Sequence, residues 1–376
     1  MLATSHAVNH IYELMIPVVS PAITAEYGLA NAGILLWSFV LSYSLLPAVS
    51  GYLSRYFGRK KPLVIGFVIT SFSLIAAGLV DNFALLIVLF FIAGIGGSMY
   101  HPFGSPILAE TYSTSTGRTL GLHQTGGALG GFIGPMVTGV LALVFGWRST
   151  IILLAVPGVI LAATLWYSIN PERDHVQAPQ PRKNQSGIAD LKKYTPSIIF
   201  IIAAFIYILG LRGTDVFAGL YFGTGRGMGI AQASFLFSML KAAGLFSAPI
   251  CGELSDRYGR KRVLIILVVI ESLSLLAITF SPSIILPLPC LLFGFASFGM
   301  LAVGEALLAE ITPEKDRPTI FGINLTASFS PKVFLVPVLF GLATTGGFDS
   351  GFILLSALMP LSIPFLLSIR TKNSQQ

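Results

Sequence analysis

Three residues near the N-terminus carry the first chemical signal. His6, His10 and Glu13 are spaced four and three apart, so on a helix they share one face. Glu13 then lies about two turns deeper than His6. An imidazole with a pKa of about 6.5 exchanges protons at physiological pH. His101 and His123 fall with His6 and His10 in the cytoplasmic half once the chain is laid out as helices. The reading is a proton-coupling or gating cluster with Glu13 as its deep carboxylate. The alternative is a set of histidines wetted at a cytoplasmic mouth or hydrogen-bonded between helices. The histidines have no metal-ligand spacing and no nucleophile pairing, so neither a metal nor an enzyme is expected. Cys251 and Cys290 lie in apolar runs and read as small core residues.

Two cations stand out next. Lys241 and Lys332 lie near mid-helix with no acidic residue one turn away. A buried ammonium needs a partner, which can be Glu13, backbone carbonyls or an anionic substrate. The favoured reading is a small anionic or zwitterionic substrate, with Glu13, Lys241, Lys332, Asn324 and Gln124 as contact candidates. The other reading is charge balance against Glu13 and Glu305. Arg212 and Asp215 are three apart and can pair on one helix, as structure or as part of an outer gate. With Glu305 they join the coupling and gating candidates.

The elements that must position these groups follow from composition. Of 376 residues, 54% are hydrophobic and 10% charged. A soluble domain carries roughly 25% charged residues, so a water-soluble fold is excluded. Apolar runs of about 20 residues indicate membrane-spanning helices, and the short alternating segments of a β-barrel are missing. Twelve helices are predicted, near 5–25, 32–54, 61–80, 83–111, 118–145, 149–169, 196–222, 230–254, 262–281, 284–311, 318–344 and 350–369. The polar stretch 170–195 reads as a flexible linker. It divides a six-helix bundle at 1–169 from another at 196–376.

With the N-terminus in the cytoplasm, inside loops hold 18 of the 23 Lys and Arg and outside loops hold only Arg148 and Arg226. Both termini are therefore expected in the cytoplasm. The net charge of +7 reflects this bias and does not call for nucleic acid. No phosphate-cradling loop followed by Lys and Ser or Thr occurs, which disfavours an ATP-driven pump. Gly223 to Gly229 reads as a flexible outer connection.

The halves repeat. Gly51-Tyr-Leu-Ser-Arg-Tyr-Phe-Gly-Arg-Lys matches Gly252-Glu-Leu-Ser-Asp-Arg-Tyr-Gly-Arg-Lys, 201 residues on. Ser105-Pro-Ile-Leu-Ala-Glu matches Glu305-Ala-Leu-Leu-Ala-Glu, 200 residues on. Two matches at nearly one offset imply duplicated six-helix halves.

The second copy resembles the loop signature of the major facilitator superfamily, G-x-L-x-D-R-x-G-R-K, and the resemblance covers essentially the whole chain. It implies that Gly252, Asp256, Arg257, Gly259 and Arg260 form a conformational latch, with Gly51, Gly58 and Arg59 in the first copy. Arg55 stands where the family has an acidic residue. Gly126-Gly127-Ala-Leu-Gly130-Gly131-Phe-Ile-Gly134-Pro135-Met-Val-Thr-Gly139 is similar to the Gly-Pro motif of the family's antiporters. Close helix packing explains Gly130, Gly134 and Gly139 equally well, and Pro135 can kink the helix. His6 to Glu13, Gly96 to Gly104, Leu122 to Gly127 and Phe145 to Arg148 together resemble the fosmidomycin-resistance branch.

The resemblance implies a major facilitator fold, with the first, fourth, seventh and tenth helices lining a cavity. Glu271, on the ninth helix, has no place in that division. The expected function is secondary active transport by alternating access, with proton-linked export of a small organic anion or drug as its specific form. Metabolite uptake by symport or organic-anion exchange is the alternative, and a non-transporting membrane sensor is the reading of another class. The expected partners are a small molecule, protons and the lipid bilayer of the plasma membrane. No cofactor is expected, and the resemblance suggests a monomer.

Overall fold

The computed structural model describes residues 1–45, 47, 50–111, 116–169 and 193–370. Among them all regular structure is helical, as a membrane solvent demands of a chain that does not close into a barrel. Most of the linker at 170–195 lies outside the described residues, as do the side chains of Arg55 and its neighbours Gly51 and Tyr52. In chain order the first half holds α1 (Leu2–Tyr27), α2 (Leu29–Leu45), α3 (Ser50–Phe57), α4 (Lys60–Leu79), α5 (Phe83–Ser98), α6 (Tyr100–Thr111) and α7 (Thr116–Ser168). The second half holds α8 (Thr195–Tyr207), α9 (Leu209–Leu220), α10 (Ile230–Ala242), α11 (Gly244–Tyr258), α12 (Arg260–Phe280) and α13 (Pro287–Ile311). It ends with α14 (Arg317–Phe329), α15 (Pro331–Thr345), α16 (Phe348–Leu358) and α17 (Ser362–Ser368).

Nine described helices are long and apolar enough to cross a membrane. One of these runs 48 residues, from Gly121 to Ser168, more than twice the length a bilayer needs. It breaks at Gly146, where φ is 76° and ψ 164°, into two spans. With α1 and the shorter apolar stretch Leu29–Ser44, the arrangement is consistent with twelve spans.

The duplication recurs in the backbone. Positive φ angles occur at Gly28 and Gly227, at Gly58 and Gly259, and at Gly146 and Gly347. The pairs are 199, 201 and 201 residues apart, close to the offset of the sequence repeat, so both halves turn at equivalent places with a residue that bears no Cβ. The signature read as a loop is mostly helical. Residues up to Tyr258 belong to α11, and Gly259 alone turns the chain into α12. The lysine two residues after Gly58 and the lysine two residues after Gly259 each meet a helix end. Lys60 Nζ donates to the Ile169 carbonyl at 2.6 Å, and Lys261 Nζ to the Ile369 carbonyl at 3.0 Å. A cation is favoured beside unpaired C-terminal carbonyls.

The chain forms two compact units. The first comprises Met1–Ala178, Asp215–Ser238 and Lys332–Thr345. The second comprises Pro179–Thr214, Met239–Pro331 and Gly346–Gln376.

Small residues set the packing of the first unit. A Cβ on Gly126 would lie 2.2 Å from the Ala3 carbonyl oxygen, one on Gly130 2.3 Å from that of Ala7, and one on Gly134 3.1 Å from Ile11. Every fourth residue of α7 therefore touches every fourth residue of α1, backbone to backbone. Gly139 meets Ser234 of α10 in the same way, and Gly219 of α9 meets the Pro17 carbonyl. Gly33 of α2 faces Phe340 of α15, and Trp37 Nε1 donates to the Val333 carbonyl at 2.9 Å. These contacts carry α9 and α15 to the neighbourhood of α1. At the far end of α1, Arg148 donates to Glu26 at 2.7 Å and to the Val80 carbonyl at 2.6 Å. Trp147 Nε1 also donates to Glu26, at 2.8 Å.

Candidate functional site

Glu13, Asp215 and Lys332 come from α1, α9 and α15, and all three are buried in the first unit. Lys332 Nζ pairs with Glu13 Oε1 in a short contact and with Asp215 Oδ2 at 3.0 Å. The other carboxylate oxygen of Glu13, Oε2, meets His10 Nδ1 at 3.0 Å. The ammonium that sequence spacing left open thus has two carboxylates, one of them the expected Glu13. A lone buried charge would cost several kcal/mol. Here one cation is shared by two buried carboxylates.

The histidines continue this chain of titratable groups. The ring centroids of His6 and His10 are 4.9 Å apart, as the spacing on one helical face predicts. His6 stacks on His123 at 4.3 Å and meets His101 edge-on at 5.3 Å. Tyr100 stacks on His6 at 5.3 Å and donates to the Leu2 carbonyl at 2.6 Å. His6 Nδ1 lies 3.0 Å from the His123 carbonyl oxygen, so it carries the proton and Nε2 carries the lone pair. Gly127 makes room for this ring, because a Cβ there would lie 2.5 Å from it. All four histidines named from the sequence therefore meet in one cluster.

The histidines have no metal-ligand spacing along the chain, yet three of them converge in space. His6, His10 and His101 place ligating nitrogens within 4.8 Å of one another. Spacing along the chain hides this, because the third ring arrives from α6. Gln124 is expected among the contact candidates. It is exposed, while its neighbour His123 is buried, since adjacent helical residues point about 100° apart.

The remaining candidates lie in the second unit. Lys241 is buried with its Nζ 5.9 Å from the Phe298 ring, and it acts electrostatically on Glu271. Glu271, which the sequence pattern did not place, is fully buried, and its Oε1 accepts from Ser297 at 2.6 Å. Sequence reasoning left Glu271 unplaced because its partner Ser297 stands on a different helix with no shared motif. Arg212 Nε donates to the Ser328 carbonyl at 2.8 Å, with its guanidinium over the Phe329 ring. Asn324 is half-buried, and its Oδ1 has no hydrogen-bond partner among the described residues. Glu305 is exposed on α13.

The signature residues of the second half are tied together. Arg260 Nη1 donates to the Ala306 carbonyl at 2.8 Å and to Glu310 at 3.3 Å, and Nη2 reaches Asp256 at 3.4 Å. Arg257 pairs with Glu253 on the exposed face of α11. One guanidinium thus joins the end of α11, the start of α12 and the end of α13.

Comparison with known proteins places this geometry. The family model described as Major Facilitator Superfamily matches residues 2–252 and 200–376. The fosmidomycin resistance protein of Escherichia coli is 26% identical over 280 residues, which cover 70% of this chain and 66% of that protein. The MFS transporter asaE of Aspergillus flavus is 28% identical over 71% of this chain and 61% of its own. The chain therefore spans slightly less than two thirds of either relative's length. Two solved structures share the fold. The crystal structure of a D-xylose–proton symporter superposes with a TM-score of 0.81 at 17% identity, covering 100% of this chain and 98% of that one. An inward-facing, occupied bacterial homologue of the human lysosomal transporter Spinster gives 0.80 at 16% identity, covering 100% and 97%.

Proposed function

The chain belongs to the Major Facilitator Superfamily, and on that premise we propose that it is a secondary active transporter coupling protons to a small organic anion. One observation carries the reading: Glu13 is shared by His10 and Lys332, and Lys332 by Glu13 and Asp215. A proton passed through His10 to Glu13 neutralises that carboxylate. Neutral Glu13 no longer competes for Lys332, and a substrate carboxylate or phosphonate takes its place on the ammonium. Proton binding and anion binding then favour each other, by equal amounts in both directions. Cargo that binds together with a proton crosses with it, so the geometry favours symport of proton and anion.

A second reading has a specific support. The chain is similar to a fosmidomycin resistance protein, and drug export by proton antiport is one route by which a transporter would confer resistance. In that case substrate and proton compete, as they do when a neutral or cationic group takes the place of the proton at Glu13.

The supporting architecture is two six-helix bundles, 1–169 and 196–376, alternating access to a midplane site. The linker 170–195 and both termini face the cytoplasm, as the distribution of Lys and Arg favours, and the working form is a monomer in the plasma membrane. The protein needs no cofactor and is not an enzyme.

Proteoliposomes with an internal pH dye test the proposal against phosphonates, carboxylates, sugars and cationic drugs. External anion that acidifies the lumen supports symport. Alkalinisation on adding any of these compounds supports the antiport reading. No proton movement with any of them overturns proton coupling.

A further inference from the structure

The rings of His6, His10 and His101 have an organisation that proton exchange does not require. Their ligating nitrogens lie within 4.8 Å of one another. Two of the rings are already held in the tautomer a metal ligand needs. His6 Nδ1 donates to the His123 carbonyl at 3.0 Å. Its Nε2 is buried and has no hydrogen-bond partner among the described residues. His10 Nδ1 faces the Glu13 carboxylate at 3.0 Å, which leaves the Nε2 lone pair as its ligating atom. Imidazoles whose second nitrogen donates to a carbonyl or carboxylate are the usual ligands of transition metals, because the outer partner fixes the ring and raises its basicity.

We propose that His6, His10 and His101 form a three-histidine site for a late first-row divalent cation such as Zn²⁺, pinning α1 to α6. Nitrogen donors select this class over Mg²⁺ and Ca²⁺, which take oxygen ligands. Tetrahedral zinc with bonds of about 2.0–2.1 Å places its nitrogens roughly 3.3 Å apart. The rings therefore close by at most about 1.5 Å on binding, a movement that rotation about side-chain bonds supplies. Three protein ligands leave a fourth position for water or an anion. Because His10 is both a ligand and the partner of Glu13, bound metal holds Glu13 in place. This last consequence rests on the transport reading above, whereas the site itself rests on geometry alone.

The test uses the purified full-length protein in detergent, stripped with chelator and titrated with ZnCl₂ by calorimetry. One Zn²⁺ per chain is expected. His6→Ala and His101→Ala should each weaken binding at least tenfold, and His175→Ala, in the linker, should leave it unchanged. Absence of stoichiometric binding to the wild type, or binding that survives both variants, overturns the site. Should a variant fail to fold, Co²⁺ bound to the wild type decides. An intense visible d–d spectrum reports four-coordinate nitrogen ligation, and the weak spectrum of the octahedral hydrated ion contradicts it. In proteoliposomes, zinc should slow proton-coupled flux in the wild type and lose that effect in His101→Ala, relative to its own zinc-free rate. Stoichiometric zinc with no effect on flux overturns the link to Glu13 and leaves the binding result to stand separately.

Discussion

Glu13 on the first helix is ion-paired with Lys332, 319 residues further along the chain. Lys332 is only 2% exposed and also holds Asp215 at 3.0 Å. Segments from opposite ends of the sequence are thus joined inside one compact unit by a single ammonium. Desolvating such a group is costly, and removing one partner from a buried pair typically costs about 3–5 kcal/mol.

Lys332→Met should therefore be strongly destabilising, by about 3–5 kcal/mol, because it removes the cation that two buried carboxylates share. The triple variant Glu13→Gln/Asp215→Asn/Lys332→Met should regain most of that loss. Thermal unfolding in detergent measures both. A Lys332→Met protein as stable as the wild type would mean that the charges are hydrated rather than paired.

Gly130→Leu should disrupt the contact between α1 and α7, because the Ala7 carbonyl lies 2.3 Å from the position of a Cβ. Overpacking of this kind costs about 1–3 kcal/mol or more. Gly131→Ala, whose Cβ would meet nothing within 4 Å, should change stability by less than about 0.5 kcal/mol. Parallel unfolding curves separate the two. Equal effects would show that close approach of α1 does not require glycine at position 130.

Much of this arrangement was legible in the sequence. The spacing of His6, His10 and Glu13 predicts a shared face, and α1 provides it. The repeat at an offset of about 200 predicts duplicated turns, and Gly58 and Gly259 share a positive φ. The glycines at 126, 130 and 134 predict close helix packing, and the partner is α1. What spacing cannot encode is which helix meets which. The pairing of Lys332 with Asp215, the arrival of His101 beside His6, and the hydrogen bond of Ser297 to Glu271 all depend on tertiary packing. A local periodicity carries no record of it. The extension of α11 through the loop signature had the same origin, because a run of polar residues reads as a turn until packing shows how far the helix continues.

The outer end of α1 should be sensitive to acid. Partial burial of Glu26 opposes its ionisation, but hydrogen bonds from Arg148 and Trp147 overcome this and lower its pKa below the ordinary 4.5. A depressed carboxylate pKa contributes stability that is present above 4.5 and is lost as pH falls through the folded-state value. Wild-type melting temperature should drop between pH 6 and pH 3.5 by more than that of Glu26→Gln, which cannot titrate. Identical pH profiles would show that the contact adds no pH-dependent stability.

Arg260→Ala should impair transport more than Arg257→Ala. Arg260 joins three helix ends, through the Ala306 carbonyl, Glu310 and Asp256. Arg257 pairs with Glu253 in the open, where an ion pair contributes about 0–1 kcal/mol. Initial rates in proteoliposomes, normalised to folded protein, make the comparison. Equal rates would remove Arg260 from the latch.

The central claim is that Glu13 links protonation to anion binding, and proton exchange on binding measures it directly. Wild-type protein in weakly buffered detergent solution would be titrated with the anion giving the largest flux, while a pH dye records proton uptake. The account predicts uptake of about one proton per anion bound, and none in Glu13→Gln. Proton release on binding, or uptake that persists unchanged in Glu13→Gln, would contradict it.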